Sequence, residues 1–304
     1  INIFSMLRQI IVTILGHVDH GKSSLVDRIK KTSIVKQEPG KITQSIKAYS
    51  VSLETIKEIC KDLDISKIKV PGLLFIDSPG HEAFTNLRKR GGSLADIAIL
   101  MIDINEGIKP QTIESMEILK TNKTPFVVAV NKIDLISGWN SRPESSLIKN
   151  INLQPESVRK SLDNKIYSLV GELYNYGFNA ERFDRIPDFT KTLALIPISA
   201  KIGEGIPELL MVITGLAQKF LESKLEHNVN EPAEGTILEV TEEKGIGTCL
   251  DTIIYKGKLK ANDTIVIGTL SQPIVTKVKA IYLIEKNKLS QIKEAYAAIG
   301  VKIS

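Results

Sequence analysis

The sequence predicts an α/β fold, a mostly parallel sheet flanked by helices, followed by a small antiparallel β-barrel domain. Three observations carry this. Near-continuous apolar runs recur at 9–15, 72–77, 97–103, 125–131 and 193–199, as strands covered on both faces require. Helical patterns alternate with them, which implies helices on both sides of the sheet and a ligand at the strands' carboxyl ends. From about residue 226 the texture changes to short alternating runs separated by turn residues.

The first strand, QIIVTIL, feeds the spacing Gly16-x4-Gly21-Lys22-Ser23, and a helix follows in which Leu25, Val26 and Ile29 share a face. Such a loop can point backbone N–H groups at phosphate oxygens, with Lys22 reaching the β and γ phosphates and the Ser23 hydroxyl ligating Mg2+. The next strand, GLLFID, ends in Asp77, placed to hold the metal through water, and Gly80 then offers a backbone N–H to a γ-phosphate. HEAFTNLRKRGG reads as a helix, IAILMID as a strand and PQTIESMEILKT as a helix. PFVVAVN ends in the turn NKID. There Asp134 can accept from the adjacent N1–H and 2-amino donors that guanine has and adenine lacks. The Lys132 stem can cover the base, and Asn131 can bond the base edge and brace the loop. Residues 140–190 are polar and helix-prone with no strand run, and look like an insertion. LALIPIS delivers Ser199, Ala200 and Lys201, with the Ala200 N–H facing guanine O6, and a helix, IPELLMVITGLAQKFLESKL, closes the domain. Beyond it GTILEVT, GTCLDTIIY, NDTIVIG and PIVTKVKAIYLI read as barrel strands.

The 304 residues, 42% hydrophobic and 25% charged, allow two cores, and we expect a boundary between residues 228 and 229. Cys60 and Cys249 are too few and too far apart for a disulfide framework, so a reducing, cytoplasmic setting is expected. The opening run INIFSMLRQIIVTIL is broken by Arg8 and Gln9 and suits neither a signal nor a membrane span. The net charge of +5 is uneven: residues 256–304 hold nine lysines against Asp263, Glu285 and Glu294. That segment could face nucleic-acid phosphates or be merely solvated.

The set of motifs resembles the P-loop GTPase domain of translational GTPases. GHVDHGKS and DSPGH, with histidine last, resemble that subfamily. DSPGHEAFTNLRKRGG and ITQSIKA look like its initiation-factor branch. VSLETIKEICKDLDISKIKVPG, read as helical, with DINEGIKPQTIE, NKIDLISGW and the 140–190 insertion, is similar to archaeal and eukaryotic initiation factor 5B more than to bacterial initiation factor 2. EEKGIGTCLDTIIYKGKLKANDTIVIG is similar to that family's second domain.

The resemblance implies GTP and GDP as nucleotides, with Mg2+ held by Ser23, by Thr43 and, through water, by Asp77. Gly16, Val18, Asp19, His20, Gly21, Lys22, Ser23 and Ser24 match the phosphate loop, and Asp19 is placed for a monovalent cation, Na+ or K+. His81 matches the histidine that orients the attacking water, Val18 the apolar residue that helps gate it, and Thr43 the switch threonine. It further implies a monomer that acts on both ribosomal subunits and their RNA, promotes their joining, and reaches initiator tRNA only through domains absent from this chain. No membrane role is implied. An elongation-type tRNA carrier, or a GTP-gated binding module with incidental hydrolysis, are the rivals. One departure is GKITQSIKA where relatives read GGITQHIGA: Lys41 and Lys47 stand in place of glycines and restrict the backbone of the first switch, and Ser45 stands in place of a histidine.

Overall fold

The structure, a computed structural model, describes residues 5–36, 44–45, 48–66, 68–76, 95–228, 231–269, 271–285 and 288–304. A short strand β1 (Ser5–Leu7) precedes β2 (Ile10–Gly16), the phosphate-loop segment and helix α1 (Lys22–Lys36). There follow β3 (Gln44–Ser45), β4 (Ala48–Ser52), α2 (Leu53–Ile59), β5 (Gly72–Ile76), β6 (Ile97–Asp103), α3 (Pro110–Thr121) and β7 (Phe126–Asn131). The half closes with α4 (Leu147–Asn152), α5 (Glu156–Asn175), β8 (Ala180–Arg182), β9 (Leu193–Pro197) and α6 (Ile206–Leu225). Among the described residues β2 to β9 form an eight-stranded sheet, order β3-β4-β5-β2-β6-β7-β9-β8. It is parallel from β5 to β8, with β4 and β3 added antiparallel at one edge.

Two local expectations are corrected. Residues 51–72, expected to be helical, begin inside β4, because Val51 pairs with Leu73 of β5 and Tyr49 stacks on Phe75 with centroids 5.0 Å apart. The helix starts only after Ser52, whose Oγ accepts the Thr55 N–H at 3.3 Å and caps it. The segment 140–190, expected to hold no strand, contributes β8, which lies parallel to β9 as the sheet's edge. Its Arg182 is buried against Asp163 and Asp184, so a polar triplet sits in the sheet because its charge is paired. Helix α5 turns Val158, Leu162, Ile166, Leu169 and Leu173 into the main core, so this segment is packed on the domain along its length.

Strand β10 (Glu226–Asn228) returns to pair antiparallel with β1. The β domain then runs β11 (Glu234–Glu243), β12 (Gly247–Lys256), β13 (Lys258–Lys260), β14 (Thr264–Ile267) and β15 (Ile274–Lys277). It ends with β16 (Ile281–Glu285), β17 (Lys288–Ile292), β18 (Glu294–Tyr296) and β19 (Ile299–Ile303). A five-stranded sheet, order β11-β12-β19-β16-β17, is joined by the ribbons β13-β18 and β14-β15, all antiparallel. The run PIVTKVKAIYLI, expected as one strand, divides into β15 and β16 where Val278 donates its N–H to Asp263 and Ala280 exchanges bonds with Ser304.

Strands β2 and β5 are buried on both faces, with a period of two. Ile10, Val12, Leu73 and Phe75 enter the helix-covered core, while Ile11, Leu74 and Ile76 join Ala48 in a smaller cluster completed by Ile253 and Ala298 of the β domain. At this end of the sheet the β domain replaces a layer of helix.

Candidate nucleotide site

Strand β2 delivers the chain to Gly16, where φ is +140° and a Cβ would stand 2.5 Å from the Met101 carbonyl oxygen of β6. Only glycine fits so close an approach. The loop passes Asp19 in a left-handed conformation, φ +62°, and turns at Gly21, φ +94°, where a Cβ would meet Asn131 Nδ2 at 2.2 Å. The first turn of α1 carries no acidic residue, and Ser23 and Ser24 lie exposed on it. The N–H groups of this helix start therefore turn the positive end of the helix toward the loop, where an anion would be favoured. The Lys22 ammonium donates to the carbonyls of Gly16 at 2.8 Å and His17 at 2.7 Å, across the cradle.

His20 anchors the loop from beneath. It is fully buried, and Nδ1 lies 3.3 Å from both the Met101 carbonyl and the Asp103 N–H, so either neutral tautomer finds one partner. Burial pushes its pKa down, with the His17 ring 5.2 Å away adding to the effect. The imidazole is neutral at physiological pH and serves as a brace. Val18 lies exposed, and its N–H donates to Gln111 Oε1 of α3 at 3.0 Å.

The NKID turn is locked to this loop. Asn131 Nδ2 donates to the His20 carbonyl at 2.8 Å, and its Oδ1 accepts the Ala200 N–H at 2.9 Å, so one amide joins the phosphate loop to the 199–201 loop. The Ala200 N–H expected for guanine O6 is thus donated to Asn131. Asp134 sits half-buried on a 3-10 turn, Ile133–Leu135, pinned by the Ile133 N–H to the Ile198 carbonyl at 3.3 Å. Ser199 is buried and accepts the Ile202 N–H at its Oγ, 3.2 Å. Arg28 of α1 donates to the carbonyls of Ala200 and Lys201, tying α1 to the same loop. Behind it, buried Glu204 receives Trp139 Nε1 at 3.0 Å and Asn150 Nδ2 at 2.6 Å, which fixes the start of the 140–190 segment.

The structure therefore brings Val18 to Ser24, Asn131, Lys132, Asp134 and Ser199 to Lys201 to one end of the sheet. Thr43, Asp77, Gly80 and His81, with the HEAFTNLRKRGG stretch, lie outside the described residues. Among the described residues no group of three or more His, Cys, Asp or Glu could hold a metal ion. The exposed Ser23 hydroxyl is a hard oxygen donor of the kind Mg2+ takes beside a phosphate. Four supporting residues are absent from the motif reading: Arg28, Asp103, Gln111 and Glu204. Asp103 had a visible signal in the sequence, an acid closing an apolar run as Asp77 closes GLLFID.

Residues 7–219 match the Elongation factor Tu GTP binding domain family. The chain is 53% identical, over 98% of its length, to the probable translation initiation factor IF-2 of Archaeoglobus fulgidus, and 55% identical over 98% to that of Methanococcoides burtonii. It spans about half the length of these curated relatives, 51% and 52%. The crystal structure of GDP-bound aIF5B from Aeropyrum pernix superposes with a TM-score of 0.92 at 47% identity, covering 98% of this chain and 52% of that one. Elongation factor SelB from Methanococcus maripaludis, 23% identical with a TM-score of 0.59, covering 98% of this chain and 51% of its own, shares the fold. The family match runs over the whole region that holds the glycine-turned loop and the NKID turn latched to it, and this chain belongs to the family of elongation factor Tu GTP-binding domains.

Proposed function

We propose that the protein is a ribosome-dependent GTPase of translation initiation that promotes joining of the ribosomal subunits. The observation that carries the reading is the Asn131 amide, which fixes the phosphate loop and the base-reading loops in one geometry, in a chain half identical to archaeal initiation factors. Residues 1–228 would be the catalytic domain and 229–304 a second domain belonging to a longer protein. Such a protein would work as a cytoplasmic monomer, meeting initiator tRNA through parts outside this chain.

In this mechanism backbone N–H groups of Asp19 to Ser24 bind phosphate oxygens, and the Lys22 ammonium moves from the Gly16 and His17 carbonyls onto the β and γ phosphates. Mg2+, held by Ser23 with Thr43 and with Asp77 through water, would neutralise charge on those phosphates; Asp19 would hold a monovalent cation. Thr43 and the Gly80 N–H close on the γ-phosphate, and His81, gated by Val18, orients a water for attack on the γ-phosphorus. The bond to the β–γ bridging oxygen breaks, leaving GDP and phosphate, and the two loops relax.

The reading is tested by single-turnover hydrolysis with and without archaeal ribosomes. Unassisted turnover should be slow, on the order of 10⁻⁴ per second, and ribosomes should raise it by orders of magnitude. His81→Ala should abolish the stimulation while leaving GTP affinity unchanged. Tight GTP binding with no ribosomal effect on wild type would remove the ribosome from the assignment. For the base, Asp134→Asn should weaken GTP by about 10- to 100-fold and admit xanthosine triphosphate, whose 2-oxo group pairs with an amide. No gain for the xanthine nucleotide would take Asp134 out of the guanine site.

A further inference from the structure

We propose that Asp103 is a positioning residue of the nucleotide site, its buried carboxylate holding the Lys132 ammonium so that the lysine stem lies across the face of the guanine base. The proposal rests on the reading of residues 131–134 as the guanine-binding turn. Asp103 ends β6 in register with Asn131, and the next residue, Ile104, donates its N–H to the Asn131 carbonyl at 3.0 Å. Sheet pairing alone thus sets the carboxylate beside the turn. One oxygen, Oδ2, lies 2.7 Å from Lys132 Nζ, and the other accepts the Asn105 N–H at 2.8 Å, so the group cannot swing away.

The two partners are unequally buried, the Asp103 side chain 4% exposed and that of Lys132 28%. Lys132 also has φ +67°, a left-handed backbone that few side-chain-bearing residues adopt. Its stem leaves in a fixed direction and ends on a fixed anchor. Burial alone would raise the Asp103 carboxyl, yet the hydrogen bonds from Lys132 and Asn105 hold it below the ordinary range, and Asp103 in turn raises the lysine. Both groups are charged at neutral pH, and the methylenes between them are what the turn offers to a ligand. Such cover suits a purine face and is blind to the purine's edge.

That blindness separates Asp103 from Asp134. Affinities for GDP and for inosine diphosphate, which lacks the 2-amino group, would be measured by titration calorimetry on the wild-type chain, on Asp103→Ala, Asp103→Asn and Lys132→Met, and on the Ala/Met double variant. Asp103→Ala should weaken both nucleotides by the same factor, about tenfold, and Asp103→Asn, which keeps an acceptor for the ammonium, by no more than about threefold. Lys132→Met should match Asp103→Ala, and the double variant should be no worse than either. Unchanged affinity, a greater loss for GDP than for the inosine nucleotide, or losses that multiply in the double variant would overturn the proposal. Should Asp103→Ala fail to fold, Lys132→Met and Asp103→Asn carry the same comparison. Asp134→Asn, run alongside, must cost GDP more than inosine diphosphate; its failure to do so would overturn the guanine reading itself.

Discussion

His20 converts burial into a pH dependence. Its pKa is lowered in the folded protein, so below the ordinary histidine value of 6.5 the unfolded chain binds the proton more readily. Stability should therefore fall as pH drops from about 6.5 toward the folded value, by at most ~1.4 kcal/mol per pH unit from this one group. The contacts that oppose the effect, the Met101 carbonyl first and then Asp103 and Glu106, do not outweigh the desolvation. Thermal melting from pH 7.5 to pH 5.5 would read the slope. His20→Asn, which retains a nitrogen near the Nδ1 position, should flatten it, and an equal slope in that variant would assign the dependence elsewhere. The same residue marks how far the sequence speaks at this scale. The spacing of Gly16, Gly21, Lys22 and Ser23 named the cradle, because each has a backbone or charge role fixed by local geometry. Asp103 and Gln111 went unassigned because their partners, Lys132 and Val18, are distant in sequence and become neighbours only through sheet register and the placing of α3.

At the start of α6, Glu208 is 1% exposed; its Oε1 accepts the Leu147 N–H at 2.6 Å, while Oε2 has no hydrogen-bond partner among the described residues. Burial pushes its carboxyl up from the ordinary 4.5, so the folded state holds the proton more tightly and stability declines as pH rises from 4.5 through the folded value. Glu208→Gln keeps an acceptor for Leu147 and removes the charge. It should stabilise the protein by about 1 kcal/mol at pH 7.5, with the gain gone at pH 4.5, in urea unfolding. A loss at both values would show that the charge is compensated. Nearby, the Cys60 thiol donates to the Pro207 carbonyl at 3.3 Å and burial pushes its pKa up to about 12. Alkylation of native protein at pH 8 should be slow at Cys60 and accelerate on unfolding. Elements of this kind were unequally legible. The long strands β2, β6 and β7 announce themselves by apolar runs because both faces are covered. β4 and β8 do not: one shares its hydropathy with the helix that follows, and the other is three residues in which Ala180 alone is apolar and Arg182 is buried by virtue of paired charges.

Across the whole molecule, the two sheets meet through a small cluster of apolar side chains. Ile11, Ala48, Leu74 and Ile76 come from the first, Ile253 and Ala298 from the second, all buried. The sequence pattern showed that β2 and β5 have two apolar faces, and the natural inference was helices on both. Which layer covers a face depends on chain path beyond residue 228, and periodicity carries no such information. Because the β domain does the covering, separating the domains exposes that face of the large sheet to water, so the two should unfold together. Ala298→Asp places an unpaired charge in the junction and should cost about 2–4 kcal/mol, since a charged group there has neither water nor a partner. Calorimetry of wild type should give one cooperative transition. In Ala298→Asp the β domain should melt first, as a separate lower transition, with increased binding of a hydrophobic dye as Ile11 and Leu74 are uncovered. A single transition with an unshifted midpoint would mean that the junction opens at no cost, leaving the strand pair β1-β10 to hold the halves together.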